Sequence, residues 1–460
     1  MDSFSDSTYI GRRQHLVENL SGEPILLIGN QDAPVNFRDN PYPFRQDSTF
    51  LYFIGLDLPG LAALYDPDPG SWWVFGNDVT IEQAVWTGPR PTLMELCQAV
   101  GIRQVANPGQ LCERIQAIKS SGRQIHFLPT YRAEQTLILA KLLQIAPEMV
   151  EAAASVRLIK AVVAQRSIKS PQEIGQIEAA LQVSARMHEA ARGLTRPGLY
   201  ERQVVCQIEA IARSEGLSLA FPTIFSVRGE ILHNPYYDNL MQPGQMVVHD
   251  SGVESRLHYA SDITRTIPVS GRFTDRQREI YRIVLATQQQ AIAAIRPGVE
   301  FRTIHRLACR SLLAGLKDLG LVRGDIDEAV EAGAHTLFFQ CGLGHMLGLD
   351  VHDMEALGED YVGYTDQIRR NPAFGWRSLR LARALEAGFV LTVEPGIYFI
   401  DQLIDRFKAE GRFASFIDYQ KIQAYRGMGG IRIEDDVLVT PEGCRVLGPP
   451  IPKHIDDIEC

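Results

Sequence analysis

Disulfide chemistry is the first thing this sequence does without. Its seven cysteines, Cys97, Cys112, Cys206, Cys309, Cys341, Cys444 and Cys460, are odd in number, scattered, and form no Cys-x-x-Cys pair. That excludes a disulfide framework and a zinc knuckle, and fits free thiols in a reducing, cytoplasmic compartment. No apolar run approaches membrane-spanning length. No basic stretch followed by an apolar one opens the chain, so no signal peptide is expected. Positive charge is also in deficit: the net charge of −9 argues against a nucleic-acid partner. What is present is an ordinary globular composition, 45% hydrophobic and 22% charged over 460 residues. That is enough for a large core and too long for one ordinary domain.

Residues 1–160 alternate strand-like and helix-like runs, an α/β pattern with no glycine-rich phosphate loop and no catalytic cluster. Arg12 to Leu20, Leu93 to Val100 and Ala133 to Leu143 read as helical. Pro24 to Ile28, Leu51 to Ile54, Ala62 to Tyr65 and Trp72 to Phe75 read as strands. A second domain is expected from residue 166, giving domains 1–165 and 166–460. Ser170-Pro171-Gln172-Glu173 is a helix start with a capping box, running to about Arg192. Arg196-Pro197-Gly198 and Arg296-Pro297-Gly298 each follow one helix and precede another. A helix–turn–helix unit seen twice suggests a duplicated half-domain with pseudo-twofold symmetry; chance recurrence of a common turn is the alternative.

Candidate chemistry lies in that second domain. Asp250 ends the buried-strand run Met246-Val247-Val248, and Asp262 opens the run Ile263 to Val269. Gly252 between them suggests a hairpin that brings the two acids together. Like charges held close need a cation between them, or one takes a proton. Three further candidates sit in runs of strand character: His345 in 338–352, Glu394 in 389–399 and Glu434 in 430–439. Each alone has a structural explanation, as a cap, a strand-end acid or a packed histidine. Together, one imidazole and four carboxylates form a hard donor set suited to two divalent ions such as Mn²⁺, Co²⁺ or Zn²⁺. Spacing alone does not bring them together.

The contexts of these residues carry a resemblance. Val393-Glu394-Pro395-Gly396-Ile397-Tyr398, Gly430-Ile431-Arg432-Ile433-Glu434-Asp435-Asp436 and His345-Met346-Leu347-Gly348-Leu349-Asp350-Val351-His352-Asp353 resemble the metallopeptidase family of aminopeptidase P and prolidase. Tyr42 to Phe53 is similar to the N-terminal domain of aminopeptidase P, so the resemblance spans nearly the whole chain. It implies an α+β protein, with an N-terminal α/β domain and a C-terminal pseudo-twofold pita-bread domain. It also implies a metallo-exopeptidase that cleaves between an N-terminal residue and proline, with a metal-bridging water as nucleophile. Two ions, Mn in the first instance with Co or Zn as alternatives, would be bridged by Asp262 and Glu434. Asp250 would hold one, and His345 and Glu394 the other. Glu394 would also take the water's proton. His233 and His352 would sit at the scissile bond, and Arg432 would hold a ligand carboxylate. Trp86 and Asp39 match positions that border the substrate cleft. Peptides with proline in second position and a homodimer follow from the same likeness.

The chain departs from the family pattern. Asp250 and Asp262 lie one residue further apart than usual, so a bulge in the hairpin is expected. Cys341 stands where many relatives have histidine. Ser226-Val227-Arg228-Gly229 replaces a glycine-rich turn before His233. Insertions lengthen 354–385 and 400–428, and Arg380 in the first matches a prolidase arginine that binds the carboxylate of a dipeptide. An aminopeptidase acting on longer peptides is the first reading. An Xaa-Pro dipeptidase is the second, and a non-catalytic binding protein or a metal-free hydrolase of the creatinase type are the remaining ones.

Overall fold

A computed structural model describes residues 2–459. The chain separates into two compact units, Met1–Arg166 with Glu355–Tyr361, and Ser167–Met354 with Val362–Cys460. No helix of the described residues is long and apolar enough to cross a membrane.

The first unit is built on one sheet, ordered β1 (Ile25–Ile28), β2 (Ala62–Asp66), β3 (Ser71–Phe75) and β4 (Gln104–Ala106). The first two pairings are antiparallel and the last is parallel. Leu26, Leu64 and Phe75 from the strands meet Ile115 and Leu139 from helices in one apolar core. The run Leu51 to Ile54 is not the expected strand; it lies in the helix Ser48–Ile54. Asp47 accepts the amide hydrogen of Phe50 at 2.8 Å, and Gly55 ends the helix at φ 74. Every side chain between them is buried. A run buried on all sides shows no period, so only its caps distinguish helix from strand.

In the second unit the helix Pro171–Leu194 starts as its sequence requires. Ser170 Oγ accepts from the Glu173 amide at 3.3 Å, and Glu173 accepts from the Ser170 amide at 3.0 Å. It leads through Arg196-Pro197-Gly198 into the helix Glu201–Ser214. The helix Asp275–Ala294 leads through Arg296-Pro297-Gly298 into Phe301–Asp318. Gly198 and Gly298 share a left-handed backbone, φ 85 and 84, which glycine adopts without penalty. Their amides make equivalent bonds, Gly198 to Met241 O at 2.9 Å and Gly298 to Leu385 O at 2.8 Å. The amides of Glu201 and Phe301 repeat the match, on Asn239 O and Arg383 O. The duplicated half-domain is therefore present in the backbone.

Each half contributes strands. β5 (Ile224–Ser226), β6 (Met246–Ser251) and β7 (Ile263–Pro268) form one antiparallel sheet. β8 (Val390–Val393), β11 (Asp435–Val439) and β12 (Cys444–Val446) form another, in the order β12-β11-β8, and β9 (Gly396–Tyr398) pairs with β10 (Gly430–Arg432). The halves are joined where the Glu434 amide donates to Thr264 O at 3.1 Å and Thr266 Oγ1 donates to Arg432 O at 3.0 Å.

Two expectations for this unit change. The β6–β7 ladder carries no bulge: its register runs unbroken from Met246↔Pro268 to Ser251↔Ile263 and is resumed at Glu254↔Ala260. Gly252 does not make the turn. It stands across from Asp262 inside this register, where a Cβ would fall 1.7 Å from Ser261 O. The turn is Arg256-Leu257-His258, closed by the Ser255 amide on Tyr259 O at 2.8 Å, with His258 left-handed at φ 65. A three-residue loop ending in a left-handed residue is a standard hairpin closure. The stretch 338–352 is also not a regular strand. Apart from the single bridge Met346↔Leu391 it is irregular, although the amides of Leu347, Thr392 and Glu394 bond Val390, His345 and Leu343 across it. Gly344 lets this run pass close to β8, since a Cβ there would lie 2.0 Å from Thr392 O.

Candidate active site

The β6–β7 register sets Asp250 opposite Thr264, and Asp262 lies two residues before Thr264. With a two-residue period, both acids face the same side of the sheet. Glu394 sits in the break between β8 and β9, and Glu434 in the break between β10 and β11. His345 is aimed at them by the next residue's backbone: Nδ1 donates to Met346 O at 3.1 Å, which turns Nε2 toward the carboxylates. Nε2 is 3.4 Å from Asp262 Oδ2 and 3.5 Å from Glu394 Oε1. Ligand atoms of Asp262, His345 and Glu434 all lie within 4.8 Å of one another.

Three residues that sequence reading passed over, Thr264, Thr392 and Asp436, complete the arrangement with Arg432, which it had named. Thr264 Oγ1 donates to Glu434 Oε2 at 2.6 Å, and Thr392 Oγ1 to Glu394 Oε1 at 3.2 Å. Asp436, buried, accepts the Asp262 amide at 3.0 Å. Arg432 pairs with Asp250, donates through Nε to Thr264 Oγ1 at 3.0 Å and through Nη1 to Tyr398 Oη at 3.2 Å. The threonines carried no sequence signal. Asp436 did, as the third acid of Glu434-Asp435-Asp436, but its neighbour Asp435 turns away to Arg265 and Gln288.

The charge of this cluster does not balance. Burial, then Glu434 and Asp250, pushes the Asp262 carboxyl well above the usual range. Burial, then Glu394 and Asp250, does the same to Glu434. Burial brings Glu394 to about 6, against the opposing pull of Arg432. Asp250 Oδ1 and Asp262 Oδ1 are buried with no hydrogen-bond partner. Orphaned carboxylate oxygens are expensive in a protein interior. Divalent cations remove that cost, and a donor set of carboxylates and one imidazole fits them.

The cluster lies in a cavity of about 530 Å³. His233, His352, Arg380 and Cys341 line it together with the five residues above and Arg432. His352 stacks edge-on to His345 at 4.3 Å between ring centroids. The Cys341 thiol lies 4.0 Å from Tyr398 Oη, and burial pushes it up to about 12, so it stays protonated. Phe221, Pro222 and Leu232 give the cavity an apolar side. Of the residues named from sequence, Trp86 and Asp39 are not part of this lining; both are exposed, Trp86 at 87%.

Residues 175–441 match the model of metallopeptidase family M24. The chain belongs to that family. Residues 9–126 match the N-terminal domain of aminopeptidase P, so the second unit is a pita-bread domain preceded by an aminopeptidase P-type domain. The chain is 31% identical to an Escherichia coli Xaa-Pro aminopeptidase, over 100% of this chain and 98% of that one. It is equally 31% identical to a human Xaa-Pro dipeptidase, over 97% and 91%. Among solved structures, an E. coli aminopeptidase P with glutamate replaced by alanine, in complex with substrate, superposes with a TM-score of 0.81. It is 29% identical and covers 100% of this chain and 98% of its own. A zinc-substituted form of the same enzyme with product superposes at 0.80 with the same identity and coverage.

Proposed function

We propose that this chain is a dinuclear metallo-exopeptidase that hydrolyses the peptide bond between an N-terminal residue and a proline in second position. The observation that carries this is the pair of buried, partnerless oxygens on Asp250 and Asp262, two acids that line one cavity of about 530 Å³ with Glu434, His345 and Glu394. Asp250, Asp262, His345, Glu394 and Glu434 would hold the ions, being the carboxylates and imidazole gathered on one cavity wall. Two divalent ions, Mn²⁺ by preference, supply when bound the Lewis acidity that activates a water and polarises the scissile carbonyl. Glu394, partly buried and hydrogen-bonded by Thr392 Oγ1, is the carboxylate placed to take the proton of the attacking water. Arg432 pairs with Asp250 and fixes the direction of its carboxylate. His233 and His352, on the cavity wall, orient the peptide and donate to the carbonyl oxygen as it gains charge.

Chain-length preference is the open choice between the two relatives. The aminopeptidase P-type N-terminal domain favours longer peptides, and this is the reading adopted. Arg380 favours the second, because a guanidinium on the cavity wall is suited to a dipeptide carboxylate. Hydrolysis of an Xaa-Pro dipeptide and the matching Xaa-Pro-Yaa tripeptide, with Mn²⁺ and with a chelated control, decides. A well-cut tripeptide supports the aminopeptidase. Cleavage of the dipeptide alone makes the enzyme a dipeptidase, with Arg380→Ala relaxing the preference. No cleavage under any metal removes the hydrolase reading. The same reading has the protein act in the cytoplasm as a homodimer, with exposed Trp86 and Asp39 offered to the cleft of a second copy. Sedimentation velocity tests it, and a monomer overturns it.

A further inference from the structure

A second cluster of metal-ligating side chains lies apart from the carboxylates. His305 and Cys309 stand four residues apart on the helix Phe301–Asp318, so they share one face. The short 3-10 turn Ala334–Leu337 sets His335 against them. Ligand atoms of the three residues all lie within 4.8 Å of one another. All three are buried, and none lines the substrate cavity. The walls are aromatic: Trp376 meets the rings of His305 and His335 edge-on at 5.4 and 4.8 Å, and Phe339 lies 5.6 Å from His305.

The polar atoms of this pocket are not accounted for by protein. Cys309 Sγ lies 3.6 Å from His305 Nε2, which serves one nitrogen. His305 Nδ1 and both ring nitrogens of His335 are buried without a hydrogen-bond partner. Core histidines ordinarily keep at least one bond, so three orphaned nitrogens in one apolar pocket call for a ligand. The donors define it. Two imidazoles and one sulfur form a soft set, unlike the oxygen-rich centre in the cavity. An ion about 2.1 Å from nitrogen and about 2.3 Å from sulfur, with tetrahedral angles, separates those two atoms by about 3.6 Å. That is the separation between His305 Nε2 and Cys309 Sγ.

We propose that His305, Cys309 and His335 form a separate structural site for a thiophilic divalent ion of the zinc type. Binding replaces the Cys309 proton: the S–H bond breaks, the proton leaves to solvent, and the thiolate and two neutral imidazoles hold the ion. Without an ion, burial pushes the thiol up and keeps it protonated. The ion ties the 334–337 turn to its neighbouring helix, and that turn leads directly into the irregular run that carries His345.

Cobalt(II) is the probe, because none of the five ligands proposed for the catalytic centre is sulfur. The full-length protein would be produced in minimal medium supplemented with cobalt, so that metal is present as the pocket closes. A sulfur-to-cobalt charge-transfer absorption in the near ultraviolet is expected. It should persist in Cys341→Ser, the cysteine on the cavity wall, and vanish in Cys309→Ser, whose peptidase activity should stay within about twofold of the parent. A cobalt-loaded protein without the band overturns the proposal, as does a band that survives Cys309→Ser or is lost with Cys341→Ser. If Cys309→Ser does not fold, X-ray absorption at the zinc edge of zinc-loaded Cys341→Ser asks the same question. A sulfur neighbour at about 2.3 Å supports the site, and nitrogen and oxygen neighbours alone overturn it.

Discussion

Lys169 and Asp353 form an ion pair shut off from water: Nζ lies 2.8 Å from Oδ2, and each side chain is 1% exposed. The lysine precedes the cap of the Pro171–Leu194 helix. The aspartate follows His352 and packs on Gly348, where a Cβ would fall 2.4 Å from its Oδ2. The pair therefore pins the far end of the run that carries both His345 and His352. Removing one partner leaves a buried charge. Lys169→Met or Asp353→Asn should each cost about 3–5 kcal/mol in urea denaturation, and Lys169→Met with Asp353→Leu should recover most of that loss.

Glu394→Gln should fold normally by circular dichroism and lose about 10²–10⁴-fold in kcat, the usual contribution of a positioned base. Full activity in that variant would remove Glu394 from the role. Thorough chelation should abolish turnover of the parent enzyme, and activity that survived it would point to the metal-free alternative.

Metal binding should release protons. Burial and mutual repulsion raise the Asp262 and Glu434 carboxyls in the protein without its ions, so cation and proton compete for the same oxygens. Calorimetric Mn²⁺ titrations in buffers of different ionisation enthalpy should show net proton release. Apparent affinity should fall as the pH is lowered toward 6, where Glu394 also begins to hold a proton. An affinity independent of pH would contradict the assignment.

Gly252→Ala should be among the most damaging small substitutions in the chain. The added Cβ meets Ser261 O at 1.7 Å, so the two strands must part beside Asp262. We expect a loss of about 3 kcal/mol or more, together with weakened Mn²⁺ binding. Gly198→Ala, in an open turn, is the comparison: it strains only its own φ of 85. Equal effects from the two would show that the close approach is not what matters.

His188 and His249 stack at 4.0 Å, fully inside the second unit. Burial, reinforced by Arg265, holds His249 at about 3, and burial with the neighbouring His249 holds His188 well below its ordinary value. Both are neutral when folded and titrate near 6.5 when unfolded, so the unfolded chain takes up protons that the native one refuses. Their contribution to stability is complete above about pH 6.5 and declines by about 1.4 kcal/mol per pH unit for each histidine as the pH falls toward 4. Urea midpoints measured across that range should fall steeply in the parent and less steeply in His249→Gln.

Where caps were visible, the sequence was a sufficient guide. Ser170-Pro171-Gln172-Glu173 predicts its helix because both halves of the capping box are local. Arg-Pro-Gly predicts the duplication because glycine is needed twice in the same backbone state. The metal-ligand candidates were legible through their contexts, although Glu394 and Glu434 sit in breaks between strands rather than on them. What the sequence hid depended on distant partners. Gly252 reads as a turn residue, yet its role is to pass Ser261 closely. Leu51 to Ile54 reads as a strand because it is apolar throughout, while the evidence for a helix lay in Asp47 and Gly55 at its ends. Thr264, bonded to Glu434, and the Lys169–Asp353 pair became visible only once residues many positions apart were brought together.

The duplication also bears on how a peptide is oriented. The two turns grip Met241 and Leu385 in the same way, and the chain just ahead of each gripped segment lines the cavity, with His233 on one side and Arg380 on the other. A scaffold copied from itself offers both ends of a bound peptide the same backbone, and is blind to the direction in which that peptide runs. Direction has to be written in side chains, an imidazole from one copy and a guanidinium from the other. The two copies can then diverge independently, which leaves the side chain at 380 free to change without altering the backbone that carries the five candidate ligands.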